Sequence, residues 1–297
     1  MKYLISGGSG MIGKRLGDLL NHSGNEICLL SRKPGFSEKF YKYQWNHSEK
    51  DLGWLKKTDV VFNLAGTSIA SHKWTKDFKK KIYDSRIKYT RSLYEALKNN
   101  EHTITTFISA SAIGIYGNQT FGIADENSPV ADDFLASVCR DWELEAQKIS
   151  ELGIRVVIIR TGIVLAEKGG FLEKISPPVK YFSGTILGNG NQMTSWIHID
   201  DLCRIFMKAD HDHSMQGIFN AAAPGPVDHK TMVKKIAARL HKPLLLPNVP
   251  GFMLKYFLGE MSEMILADQN ISSKKIMDAG FRFQFPDIDS ALENLVK

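Results

Sequence analysis

Apolar residues come in short blocks along the first two thirds of the chain. Between several blocks lie longer stretches in which they recur every third or fourth position. The blocks at 2–6, 26–31, 41–45, 59–64, 104–111, 154–161 and 217–220 predict strands, and the stretches at 11–23, 76–99 and 132–152 predict amphipathic helices. Residues 59–64 and 154–161 are almost unbroken apolar runs, as strands covered on both faces require. Strands alternating with helices predict a parallel sheet with crossover helices. The expected fold is α/β, a Rossmann-type doubly wound sheet of order 3-2-1-4-5-6-7. Beyond residue 161 the pattern loosens: 169–195 is rich in glycine and proline, and from Pro224 short helical stretches are punctuated by Pro243, Pro247, Pro250 and Pro286. This predicts a smaller, mainly helical C-terminal lobe. The expected division is 1–168 plus 196–224 for the Rossmann domain and 169–195 plus 225–297 for the small lobe.

Composition narrows the picture. Forty-three per cent hydrophobic and 24% charged residues in 297 suit a globular α/β protein. The net charge of +6 is spread along the chain without a basic stripe interleaved with aromatics, so no nucleic-acid partner is expected. No apolar run is long enough to span a bilayer and no leader pattern opens the chain, so no membrane partner is expected and the cytoplasm is the default. Cys28, Cys139 and Cys203 are too widely spaced for a zinc site or a disulfide framework. No metal is expected.

The first strand runs into Gly7-Gly8-Ser9-Gly10-Met11-Ile12-Gly13, which opens a helix. Gly7 permits a sharp turn, Gly10 a close approach of backbone amides to a pyrophosphate, and Gly13 close helix–strand packing. The free N–H groups of the helix start then face the phosphates. At the end of the second strand, Ser31-Arg32-Lys33 stands where an NAD site usually places an acid for the ribose 2′-hydroxyl. A guanidinium there fits a 2′-phosphate, so NADP is the expected cofactor. The fourth strand ends Asn63-Leu64-Ala65-Gly66, small residues that let the chain pass close to a ribose.

These segments, with Ser85-Arg86, Cys139-Arg140-Asp141-Trp142-Glu143, Arg160-Thr161-Gly162, residues 195–201 and Gly280-Phe281, resemble the extended short-chain dehydrogenase/reductases. The match is to the atypical branch known as epimerase-family or cell-division-inhibitor-like proteins, and it covers essentially the whole chain. The resemblance implies cofactor contacts from Gly7, Ser9, Gly10, Met11, Ile12 and Gly13. It also implies them from Ser31, Arg32, Leu64, Ala65, Gly66, Arg86 and Arg160. The superfamily's chemistry uses a Tyr and a Lys four residues later on the helix after the fifth strand. Here residues 137–143 of that helix carry neither; the chain's one Tyr-x-x-x-Lys, Tyr94 to Lys98, precedes the fifth strand. Candidate substitutes are Ser111, which closes that strand, Tyr116 in the following loop, and Cys139, whose thiol would ionise if Arg140 lowered its pKa. Trp196 and His198 alternate and are expected to face the cleft, with Asp200 as helix N-cap and Asp201 in its first turn.

Two functions follow as expectations. One is an NADP-binding oxidoreductase, similar to nucleotide-sugar epimerases, on a small polar substrate. The other is a catalytically silent NADP(H)-sensing protein, which the missing Tyr–Lys pair favours. A third reading uses the C-terminal lobe for partners, through Phe252, Met253, Tyr256, Phe257, Met261 and Met264. At helical spacing that stripe reads first as core between the lobes. Oligomeric state and substrate identity are not legible.

Overall fold

The computed structural model describes residues 1–32, 39–46, 50–118 and 122–296, and the backbone alone of 35–36. Seven strands run parallel: β1 Lys2–Ser6, β2 Glu26–Ser31, β3 Tyr41–Gln44, β4 Val60–Asn63, β5 Thr106–Ala112, β6 Arg155–Thr161 and β7 Gly217–Ala221. Their order is β3-β2-β1-β4-β5-β6-β7, as the alternating pattern predicts. A two-residue strand, Gly35–Phe36, adds antiparallel to the free edge of β3.

The central strands are apolar on both faces because both are covered. Tyr3, Ile5 and Phe62 point into one core with α1 (Met11–His22) and α6 (Ile199–His211). Leu4, Val61 and Phe107 point into the other, with residues of α3 (Ile87–Lys98) and α4 (Phe134–Gln147). Full burial of a side chain such as Phe62 stabilises by about 2–3 kcal/mol. A buried polar knot sits between the layers. Asn63 Nδ2 donates to Thr90 Oγ1 and Ser109 Oγ, while Ser6 Oγ donates to Asn63 Oδ1. It ties β1, β4, β5 and α3 together just below the strand ends.

The stretch at 76–99 is not one helix. It breaks into α2 (Lys76–Asp84) and α3 at Ser85–Arg86, because both side chains serve the loop after β4. Ser85 Oγ accepts the Thr67 N–H, and Arg86 Nη1 donates to the Thr67 carbonyl.

The C-terminal part packs α5 (Gly170–Lys180), α7 (His229–Arg239) and α11 (Ile288–Leu295) around a separate core. The structure departs here from the sequence reading in two places. Trp196 and His198 do face the same way, but into this core rather than the cleft. Trp196 Nε1 donates to Gly225 O, and His198 stacks on Phe285 at 3.8 Å. The N-cap of α6 is His198, whose Nδ1 accepts the Asp200 N–H, and Asp200 instead pairs with Arg15.

A third departure concerns α8 (Gly251–Leu258), which the short helices α9 (Met261–Leu266) and α10 (Lys274–Asp278) link to α11. In α8 only Leu254 is buried, while Phe252 is 74% and Tyr256 84% exposed, so the stripe is not core between lobes. Among the described residues no helix is long and apolar enough to cross a membrane.

Candidate functional site

The carboxyl ends of β1, β2, β4, β5 and β6 converge on one cleft edge, where an open α/β sheet binds ligands. Between β1 and α1 the loop leaves little room for side chains. Gly7 has φ +71°, and a methyl group there would lie 2.7 Å from the Leu64 carbonyl oxygen. At Gly13 it would lie 2.6 Å from Gly7 O and Gly8 Cα. Gly10 is exposed and is the N-cap of α1, with no side-chain cap and no acid in the first turn. Side chains cap α2, α4, α6, α7 and α11, whereas α1 opens bare donors toward the cleft. Ser9 is exposed beside Gly10, and Met11 and Ile12 are half-buried behind it.

Ser6 Oγ accepts the N–H groups of Leu64 and Ala65, fixing the turn after β4 next to the glycine loop. Ser31 is half-buried at the end of β2. Arg32 follows, exposed and without an ion-pair partner among the described residues; Lys33 lies outside them.

Arg86 is the unusual cation of the cleft. Its guanidinium lies flat on Gly66, where a methyl would come 2.9 Å from Cζ, and 5.3 Å from the Trp142 ring centre. Nη1 donates to the carbonyls of Thr67 and Ile82. Burial pulls its pKa below the usual guanidinium value, and among the described residues no carboxylate offsets that. A cation built into a cleft wall without a counter-charge suits an anionic ligand.

Deeper in, β5, β6 and α4 contribute one buried network. Arg160 grips Glu143 through two parallel bonds, Nε to Oε1 and Nη2 to Oε2, both 2.9 Å. Ser111 Oγ donates to Glu143 Oε1 at 2.5 Å. Arg160 Nη1 donates to Tyr116 Oη at 2.8 Å, and that hydroxyl donates to Asn220 Oδ1 at 2.7 Å. Burial pushes the Tyr116 hydroxyl up to about 12, against the pull of Arg160. Burial and Glu143 push the Cys139 thiol up to about 12, with Arg86 opposing. Burial alone would lower Arg160; the Glu143 carboxylate more than reverses this and holds it raised.

The three sequence candidates Ser111, Tyr116 and Cys139 are therefore neighbours, but not as free acids or bases. Arg140, expected to activate Cys139, is paired with Asp141 instead. Arg160, expected among the cofactor contacts, spends its guanidinium on Glu143, Tyr116 and the Glu126 carbonyl. Sequence reasoning missed Glu143 and Asn220. Glu143 was open to detection: it stands four residues after Cys139, the spacing of the superfamily's Tyr–Lys pair, with the sign of the charge inverted.

A family model described as "NAD dependent epimerase/dehydratase family" matches residues 3–222. Another, described as "Domain of unknown function (DUF1731)", matches 249–295. The chain is 38% identical over 300 residues to "Epimerase family protein YfhF" of Bacillus subtilis, across 100% of this chain and 98% of that protein. It is 33% identical over 311 residues to the chloroplastic "Epimerase family protein SDR39U1 homolog" of Arabidopsis thaliana, across 100% of this chain and 87% of that protein. Among solved structures, human epimerase family protein SDR39U1 (isoform 2) with NADPH superposes with a TM-score of 0.90 at 27% identity. That match covers 100% of this chain and 99% of that one.

Proposed function

The chain belongs to the NAD dependent epimerase/dehydratase family, and on that premise we propose that it binds NADP(H) and exchanges hydride with a small polar substrate. The glycine loop at the N-terminus of α1 carries the proposal: Gly7 and Gly13 leave no room for a side chain, and the helix opens at exposed Gly10 with no side-chain cap. The glycine loop fits a pyrophosphate: Gly10 is exposed, and its open side bears no side chain. Ser31 and Arg32 would take the 2′-phosphate, and Leu64, Ala65 and Gly66 would border the adenosine ribose. Arg86 would neutralise a phosphate or an anionic substrate group. The human relative solved with NADPH supports NADP over NAD.

When bound, the nicotinamide supplies the hydride acceptor or donor. The chain's own residues then have to orient substrate and handle any proton. Ser111 is the candidate for orienting substrate, since its hydroxyl donates its hydrogen bond to Glu143 and its oxygen is left to accept one. Tyr116 and Cys139 stay protonated at neutral pH and act as donors or as packing. The residues of the 225–297 lobe would close the substrate side.

One observation favours the second reading, an NADP(H)-sensing protein without turnover. Glu143 is paired with Arg160, and among the described residues no lysine bonds Ser111 or Tyr116, so no ammonium is there to create a phenolate. Absorbance at 340 nm, followed with NADPH and a panel of aldehydes, ketones, quinones and nucleotide sugars, separates the two. Turnover abolished by Ser111→Ala supports the enzyme. Firm NADPH binding without turnover supports the sensor. Equal affinity for NADPH and NADH, unchanged in Arg32→Ala, would overturn the cofactor assignment.

A further inference from the structure

Two segments of the chain contain no acidic residue at all, 174–199 and 229–259. Together they hold eight of the 38 lysines and arginines and none of the 32 acids, so they carry +8 in a chain whose net charge is +6. Charge that looks scattered along the sequence is gathered by the fold, because the two segments lie side by side. Lys242 sits over the Phe182 ring at 4.6 Å, Thr185 Oγ1 donates to Pro247 O, and Val249 N–H donates to Ile186 O. Lys235 and Arg239 are answered by Asp289 and Glu293 of α11. The remaining six lysines have no ion-pair partner among the described residues.

The same paired segments carry most of the exposed apolar surface. Of the fifteen large hydrophobic side chains exposed among the described residues, eight lie at 181–182 and 245–257. Tyr181 is 82% exposed, and Phe252, Tyr256 and Phe257 project from α8 with Lys255 between them. Beside Tyr181 a cavity of about 650 Å³ is lined by Lys180, Arg239, His241 and Lys242. Phe182 and His241 are the two non-glycine residues held at positive φ among those described, +60° and +54°. Both close helices at positions where glycine is usual, so backbone strain is spent to place an aromatic and an imidazole at this surface.

We propose that the face formed by the 180–182 and 239–246 turns docks on an anionic phospholipid surface. Its chemistry is that of an interfacial segment: aromatic and aliphatic tips to enter the acyl boundary, and lysines around them for phosphate headgroups. A second copy of the chain is disfavoured as the occupant, because two such faces would set the same lysines against each other. Helix C-termini favour cations and account for Lys180 and Arg239. The same holds for Lys255 in the last turn of α8, but helix ends account for neither Lys242 nor the exposed rings. The sequence expectation of no membrane partner rested on dispersed charge and the lack of a spanning run. Peripheral docking needs neither.

Co-sedimentation of the full chain with lipid vesicles tests this. Binding is expected to phosphatidylcholine vesicles containing about 30% phosphatidylglycerol, to weaken as salt rises, and to be slight on phosphatidylcholine alone. Lys180→Glu with Lys242→Glu should weaken it at least about tenfold, as should Tyr181→Ser with Leu246→Ser. Both pairs should keep the wild-type Tm and NADPH affinity, which separates this test from that of the cofactor site. No binding to either vesicle, equal binding to both, or binding indifferent to the lysine reversals overturns the proposal. So does a dimer in solution that Tyr181→Ser with Leu246→Ser disperses, since that would assign the face to a second copy.

Discussion

Gly10→Ala separates the loop's service to the fold from its service to the ligand. Gly10 has φ −76° and ψ 168°, a backbone that alanine adopts without strain. The added methyl would meet only Gly7 O, at 3.2 Å, a contact relieved by a few tenths of an ångström. Replacing glycine by alanine at an N-cap costs about 1 kcal/mol or less. In a chain of this length that lowers Tm by about 2 °C. On the open side the methyl stands between the bare α1 amides and a pyrophosphate. Each amide–phosphate bond is worth about 1.5–3 kcal/mol, so losing two raises Kd for NADPH at least about a hundredfold. Nicotinamide fluorescence on titration reads the affinity, and a thermal melt reads the fold. Gly13→Ala is the contrast. Its methyl would lie 2.6 Å from backbone atoms that cannot move aside, so both readouts should collapse. If Gly10→Ala binds NADPH within about threefold of wild type, the phosphates lie elsewhere. A melt as damaged as that of Gly13→Ala would mean that the methyl acts on the fold instead.

Glu143→Gln should cost about 3 kcal/mol in chemical denaturation by leaving Arg160 buried without its carboxylate, and adding Arg160→Met should recover most of it. A single variant as stable as wild type would show the pair is not holding the strand ends. Burial keeps His198 and His229 below the ordinary 6.5, so they stay neutral in the folded state and take up protons on unfolding. Stability should be level above about pH 7, fall as pH drops through about 6.5 toward the folded values, and fall less in His198→Asn with His229→Gln. An unchanged slope in that double variant would place the acid sensitivity elsewhere. Burial also raises the thiols of Cys28, Cys139 and Cys203. Ellman's reagent at about pH 8 should find no fast thiol in the folded protein and three in guanidinium. A fast thiol that Cys139→Ser removes would show an accessible thiolate at the site.

The sheet was legible because its central strands are apolar on both faces, a pattern that only a covered parallel sheet requires. The glycine loop was legible because Gly7 and Gly13 answer to backbone contacts within a few residues or on the next strand. What escaped depends on partners distant in the chain. Nothing local to Trp196 or His198 says that Gly225, Phe285 and Asn294 will cover them, so their alternation pointed equally well at the cleft. The break at Ser85–Arg86 is set by Thr67, not by a helix-breaking residue. Cys139 and Glu143 were readable as a helical pair, but Arg160, which decides what that pair can do, arrives on another strand.

The Glu143–Arg160 pair also bears on how this site can change over generations. A step from Glu143 to lysine would press a second cation against the Arg160 guanidinium, which now lies 2.9 Å from the carboxylate. A step that removes Arg160 first would strand a carboxylate in a pocket where Glu143 is 6% exposed. Either order crosses a deep loss of stability before a lysine can stand at 143. The two positions are therefore expected to drift together or not at all. A lineage that has acquired the pair is held to whatever its Ser111, Tyr116 and Cys139 can do.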